Sequence, residues 1–216
     1  MNSGSNANSC LRPSFTRELA DRLMQGKSVN LVSPHGQGRR RTLHDLCNTL
    51  PQSILIVKIN LKLYHNDYIG FINAIKLEAG DQYAACSSLD ELIVRMAECS
   101  QMHLIILHNF DLLYGQTDVD ERFDNRFFDL LNTISEHANL VLLSVCESRS
   151  DTDRILAEPM QLPPLSKDQI MVELAQRSPI ATDAALAMLA DQIAHHPSPY
   201  TRLNELTLQQ PMANQS

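Results

Sequence analysis

Leu31-Val32-Ser33-Pro34-His35-Gly36-Gln37-Gly38-Arg39-Arg40-Arg41-Thr42-Leu43 is an apolar run that breaks into a glycine-containing turn and resumes as a helical pattern. Strand, turn and helix in that order bring the free N–H groups of a helix N-terminus to the end of a strand. Unpaired donors and the helix dipole both favour an anion there. Ser33, Pro34, His35, Gly36, Gln37, Gly38, Arg39, Arg40 and Arg41 are therefore the candidate binding residues. The competing reading gives the glycine pair a purely steric job at a strand-to-helix corner.

On either side of this stretch the chain alternates strand and helix. Pro13 and Ser14 introduce a short helix over Thr16–Gln25, and Val29–Val32 is the first strand. Leu43, Leu46, Cys47 and Leu50 recur at helical spacing until Pro51. Ser53–Ile59, His103–Leu107 and Leu140–Val145 are nearly continuous aliphatic runs, as expected of parallel strands covered on both faces. Asn66–Glu78, Leu89–Cys99 and Arg122–Ala138 read as the helices between them, the second opened by a capping box of Ser88 and Glu91. A short fifth strand is expected at Met160–Leu162. From Pro163 only helices follow: one begun by Ser166 with Gln169, one capped by Thr182, one over Pro199–Leu208. The expected fold class is α/β, a parallel sheet of about five strands flanked by helices and followed by a small all-helical unit. Residues 1–12 and 209–216 read as flexible tails around a core at 13–162 and helices at 163–208.

A net charge of −7 and a pI near 5.6 disfavour a dedicated nucleic-acid binder, leaving Arg39–Arg41 as the one local basic patch. The five cysteines are odd in number, scattered and without a C-x-x-C pair, which fits a reducing cytoplasm better than a disulfide framework or a zinc ribbon. No apolar run approaches bilayer length, so no membrane role is expected. His35, His65 and His108 lack metal-ligand spacing, and none is assigned as a metal ligand.

The turn also resembles a P-loop. Registering Gly38 on the second glycine of G-x-x-x-x-G-K-[ST] puts Ser33 on the first glycine, Arg39 on the lysine and Arg40 on the Ser/Thr. Pro34, Gly36, Gly38 and Leu43 fall where P-loop modules of the AAA+ and STAND classes often read Gly-Pro-Arg-Gly-x-Gly-Lys-Thr-x-Leu-Leu. His108-Asn109-Phe110-Asp111-Leu112 comes after the third strand, where those classes often show Asp-Glu-x-Asp-x-Leu. Ser144 stands where a sensor residue ends the fourth strand, and the helices after Pro163 resemble the lid of such a core. The resemblance implies an NTPase whose chemistry is eroded. Arg40 replaces the hydroxyl that joins the magnesium shell, His108 replaces the metal-associated Asp, and Asn109 replaces the catalytic Glu.

A catalytically impaired assembly or regulatory subunit with no catalytic residue is therefore expected. ATP or ADP is the candidate ligand, Mg2+ is disfavoured, and the partner is a protein, either an active ATPase subunit or a larger complex. Two alternatives stay open. One is a divergent ATPase using Arg39 and Asp111 and completed in trans; the other is a DNA-associated adaptor using the basic turn. Asp111 also reads as a helix cap, Ser144 as structural, and Arg122, Arg126 and Arg149 as surface ion pairs rather than charges supplied in trans.

Overall fold

The computed structural model describes residues 10–114, 117–148, 154–177 and 182–208. Arg149 and both extreme tails lie outside them. Five strands, β1 (Val29–Val32), β2 (Leu55–Asn60), β3 (His103–His108), β4 (Leu140–Cys146) and β5 (Glu158–Gln161), form one parallel sheet in the order β2-β3-β4-β1-β5. Every residue of β1, β3 and β4 is buried, which is why these segments read as nearly continuous apolar runs. The helices are α1 (Pro13–Met24), α2 (Arg39–Thr49), α3 (Tyr68–Ala79), α4 (Leu89–Ala97), α5 (Asn125–Thr133), α6 (Lys167–Arg177), α7 (Asp183–Ala194) and α8 (Pro199–Leu208).

The chain divides into two compact units. One holds residues 18–34 and 50–162, and therefore the whole sheet. Its core gathers Val57, Ile59, Ile105 and Leu107 from the strands with five of the six phenylalanines of the chain, Phe71, Phe110, Phe123, Phe127 and Phe128. Phe123 and Phe127 meet edge to face at 4.9 Å, a geometry that adds quadrupole attraction to burial. The other unit holds residues up to 17, residues 35–49 and residues from 163 onward. Its core is Leu11, Leu165, Ile170, Leu174, Leu186, Ala190, Ile193 and Leu203. The sequence places residues 35–49 with the sheet; here they group with the C-terminal helices. Leu11 and Arg12, the end of an expected flexible tail, are buried at 3% and 1% exposure.

Local electrostatics shift the start of α5 from its expected place and change the capping partner at α4. Arg122 lies outside α5, which begins three residues later because Asp124 accepts the N–H of Phe127. Arg122 itself forks onto Asp120 through Nε and Nη2 at 2.9 and 2.7 Å and holds that carboxyl well below its ordinary range. At α4 the Ser88 side chain accepts from Glu91 N–H, as a capping box requires, yet Glu91 reaches back to the N–H and hydroxyl of Ser87 instead of Ser88. The box at α6 is reciprocal between Ser166 and Gln169.

His103 opens β3 with no exposed surface. Its Nδ1 lies 2.8 Å from the Gln101 carbonyl and must donate, so Nε2 accepts from the Tyr83 hydroxyl at 2.7 Å. Burial lowers the imidazole pKa and raises that of Tyr83 to about 12. The unfolded chain takes up a proton below the ordinary imidazole value while the fold resists it, so this contribution to stability is complete above about pH 6.5 and is lost as pH falls through the depressed value. Urea unfolding at pH 7.5 and 5.5 is expected to show a larger acid-side loss for the wild-type chain than for His103→Gln; equal losses would remove His103 as the cause.

Candidate functional site

The site begins where β1 leaves the sheet. Ser33 N–H donates to Cys146 O and Leu162 N–H donates to Val32 O, both at 2.8 Å, so the end of β1 is held from both neighbouring strands. Ser33 is fully buried, and Pro34 and His35 are exposed. The backbone then takes left-handed values at Gly36 (φ +76°) and Gly38 (φ +80°), conformations that cost an L side chain steric energy. Among the described residues the backbone N–H groups of Gly36, Gln37, Gly38 and Arg40 have no hydrogen-bond partner. Backbone N–H groups at a helix N-terminus favour an anion.

The carbonyls of the same turn are all engaged. Gly36 O accepts from Tyr200 N–H at 2.9 Å, Gln37 O from Arg12 Nη2 at 2.7 Å, and Gly38 O from Thr42 N–H at 3.0 Å. Gln37 Nε2 donates to Pro197 O at 3.2 Å. A Cβ on Gly36 would fall within 2.9 Å of Ser198 Cα, and one on Gly38 within 2.9 Å of the Tyr200 ring. Both glycines are thus required twice, for backbone conformation and for close approach.

Charge is arranged behind the turn in the same compact unit. Arg41 Nε donates to Asp45 Oδ1 at 2.9 Å, and its Nη2 lies 3.5 Å from Glu173. Glu173 takes a second arginine, Arg177, at 2.8 Å, and Arg177 lies over the Tyr200 ring. Asp45 also accepts the N–H of Leu11 at 2.8 Å. Burial pulls the Arg41 pKa down, but Asp45 and Glu173 outweigh it and the net shift is upward. For Arg12 burial dominates, and its pKa falls to about 10.

Among the expected binding residues, Gly36, Gln37 and Gly38 supply the donor row, and Arg39 and Arg40 open α2, with Arg40 exposed. Arg41 points its guanidinium into the Asp45 and Glu173 carboxylates. At the end of β3, His108 is 6% exposed, and Asn109 adopts a left-handed conformation with its Nδ2 on Asn60 Oδ1 at 2.6 Å. Asp111 caps no helix: Asn109 precedes the 3-10 turn Phe110–Leu113, and Asp111 Oδ1 lies 3.4 Å from Glu147 N–H. Ser144 is buried and donates to Asn30 Oδ1 at 3.1 Å, a polar tie between β4 and β1. Arg122 is bound by Asp120, and His65 pairs with Asp118 at 3.1 Å. Sequence reasoning missed Arg12, Asp45, Glu173, Ser198 and Tyr200. Only Asp45 carried a signal, four residues beyond Arg41 on one helix.

No protein-family profile matches the sequence, and no curated protein matches it. Solved structures do. Drosophila ORC bound to DNA superposes with a TM-score of 0.64 at 16% identity, over 95% of this chain and 56% of that one. The Aeropyrum pernix ORC1 protein in complex with DNA gives 0.63 at 16%, over 91% and 58%. A Walker-type ATPase of Pyrococcus abyssi gives 0.67 at 10%, over 97% and 74%. The fold is that of the AAA+ P-loop NTPases. The chain spans little more than half the length of the two ORC proteins, and at these identities the likeness concerns fold alone. The turn described above is the segment that follows β1.

Gly36→Ala should destabilise the protein more than Gly80→Ala. Gly80 has φ +104° but nothing within 4 Å of a new Cβ, so its substitution incurs conformational strain of about 1–2 kcal/mol, whereas Gly36 adds the clash with Ser198. Thermal midpoints of the two variants test this, and equal losses would mean that the Ser198 contact is easily displaced.

Proposed function

We propose that this chain is a nucleotide-binding module of AAA+ fold with impaired hydrolysis, acting as an assembly or regulatory subunit. The observation that carries the reading is the donor row of Gly36, Gln37, Gly38 and Arg40 at the head of α2. Backbone amides recognise phosphate whatever the side chains, and Arg39 and Arg40 add the charge that attracts a polyphosphate. Arg39, Arg40 and the turn from Ser33 to Gly38 are the proposed binding residues; Arg41 serves the seat indirectly, through its pairing with Asp45 and Glu173.

Impaired hydrolysis is inferred from the side chains present. A divalent cation of the magnesium type wants hard oxygen ligands. Arg40 offers a guanidinium, His108 an imidazole, and the hydroxyl of Thr42 is already shared between Arg12 Nη1 and Gly38 O. None of these side chains offers an uncommitted hard-oxygen ligand. Asn109, whose amide is spent on Asn60, is no general base. A divergent ATPase completed in trans would route its chemistry through Asp111, and that carboxylate faces the Glu147 amide.

The ORC structures that share the fold were solved with DNA, which keeps a DNA-associated adaptor as the second reading. Its basic patch is smaller than the sequence implies, because Arg41 is neutralised by two carboxylates. Neutralising Arg39 and Arg40 should then abolish a salt-sensitive DNA affinity, if one is measured.

Calorimetric titration with ATP and ADP, with and without magnesium, distinguishes these readings. Binding insensitive to magnesium and weakened roughly tenfold or more in Arg39→Ala/Arg40→Ala is the expected result. Magnesium-dependent turnover lost in the same variant would overturn the claim of impaired hydrolysis.

A further inference from the structure

Among the described residues Arg12 is the largest fully buried side chain, and it contributes to no ion pair there. Its guanidinium is spread over three neutral acceptors: Nε on Pro163 O at 3.0 Å, Nη1 on Thr42 Oγ1 at 3.1 Å and Nη2 on Gln37 O at 2.7 Å. Asp45 faces this buried charge, but the hydrogen bonds of the guanidinium go to the three neutral acceptors. Two of the three acceptors belong to the turn and the first turn of α2.

The consequence for the turn comes from peptide geometry. No peptide bond here is cis, so each carbonyl points opposite to the N–H of its own peptide plane. With Gln37 O drawn to Arg12, the N–H of Gly38 faces away from the guanidinium. With Gly36 O drawn to Tyr200 N–H, the N–H of Gln37 faces away from the start of α8. Thr42, gripped by Nη1, binds Gly38 O through both its N–H and its hydroxyl, which fixes the plane of the peptide that follows Gly38. Three consecutive peptide planes are oriented by their carbonyls, and two of those restraints pass through Arg12.

We propose that Arg12 is the positioning residue of the phosphate seat, fixing the peptide planes of the glycine turn so that their N–H groups converge on an anion and placing a permanent positive charge behind them. This rests on the reading of the turn as a phosphate seat. Lysine cannot replace it: a single ammonium presents its donors from one point and cannot span Pro163 O, Thr42 Oγ1 and Gln37 O. Preorganised donors bind charge without reorganisation at the moment of binding, which is how a residue that never touches the ligand acts on its affinity.

The charged or titratable groups facing Arg12 are Asp45 on α2, Tyr200 on α8 and the adjacent Cys10. All three remain in Arg12→Lys, so a difference in pH profile between that variant and the wild type reports position 12. The full chain and Arg12→Lys are titrated with ATP without magnesium at pH values from about 7.5 to 9, and amide exchange over residues 35–42 is followed without ligand. The wild type should keep its affinity over this range. Arg12→Lys should bind roughly tenfold more weakly at the lower pH, weaken further as the buried ammonium loses its proton, and exchange faster over residues 35–42.

Equal affinities with parallel pH profiles overturn the proposal and leave the phosphate seat standing. A wild type that binds no ATP at millimolar concentration overturns the seat, and the proposal with it. Should Arg12→Lys fail to fold, Thr42→Val removes the Nη1 acceptor while keeping the charge. It should weaken ATP binding by about three- to tenfold without the pH slope, and unchanged affinity would overturn the proposal.

Discussion

The constraint on which the rest depends is the placement of β1. Four residues long and wholly buried, it pairs in parallel with β4 on one side and β5 on the other. A strand in that position has no solvent to satisfy its polar groups, so each must be met inside. The ladders do this for the backbone. For the one polar side chain in β1, Asn30, the Ser144 hydroxyl and the Cys146 thiol supply donors from β4. The strand then ends under restraint from both sides, at Ser33 and Val32. A parallel sheet needs a crossover here, and the sharp exit is made by residues that tolerate positive φ, Gly36 and Gly38.

A second organisation governs the unit that contains α2 and the C-terminal helices. Arg41 and Arg177 pair with Asp45 and Glu173, with every one of these side chains at 18% exposure or less. Such groups stabilise only when each is well paired, and removing one partner leaves a buried charge behind. What the network secures is specificity of arrangement. It ties residues 11–12, α2, α6 and α8 to one geometry, through Leu11 N–H on Asp45, Arg41 on Glu173 and Arg177 over Tyr200. The turn inherits that geometry because its carbonyls bond to Arg12 and Tyr200.

Binding and hydrolysis draw on different parts of such a site. An anion seat made of peptide N–H groups is independent of side-chain identity, so it survives the exchange of Lys for Arg39 and of Ser/Thr for Arg40 so long as the glycines persist. Phosphoryl transfer needs a metal shell and an oriented water, both built from side chains. The sequence resemblance puts His108 and Asn109 where an acidic pair would do this work, and Asn109 Nδ2 donates to Asn60. The proposed division, a seat kept and a reaction lost, reflects that difference in what each function is made of.

The sequence by itself determined the sheet. Runs such as His103–His108 and Leu140–Cys146 are apolar because parallel strands are covered on both faces, and that pattern is written locally. It also determined the glycine turn and the order of strands and helices, and the AAA+ resemblance read from Pro34, Gly36, Gly38 and Leu43 agrees with the fold observed. The start of α5 was not legible, because Asp124 as a cap and Arg122 as a partner of Asp120 compete within a few residues. Nor was the role of Arg12, Arg41 or Tyr200. Arg41 stands beside Arg39 and Arg40 in the chain and looks like part of the same basic patch. Only folding brings Glu173 to it, and only folding buries Arg12 against Gln37 and Pro163. Hydrophobic periodicity records what a segment needs from its surroundings, whereas a hydrogen bond between residues far apart in sequence has no local trace. For that reason the glycine turn was visible in the sequence, and what holds it in place was decided by the tertiary structure.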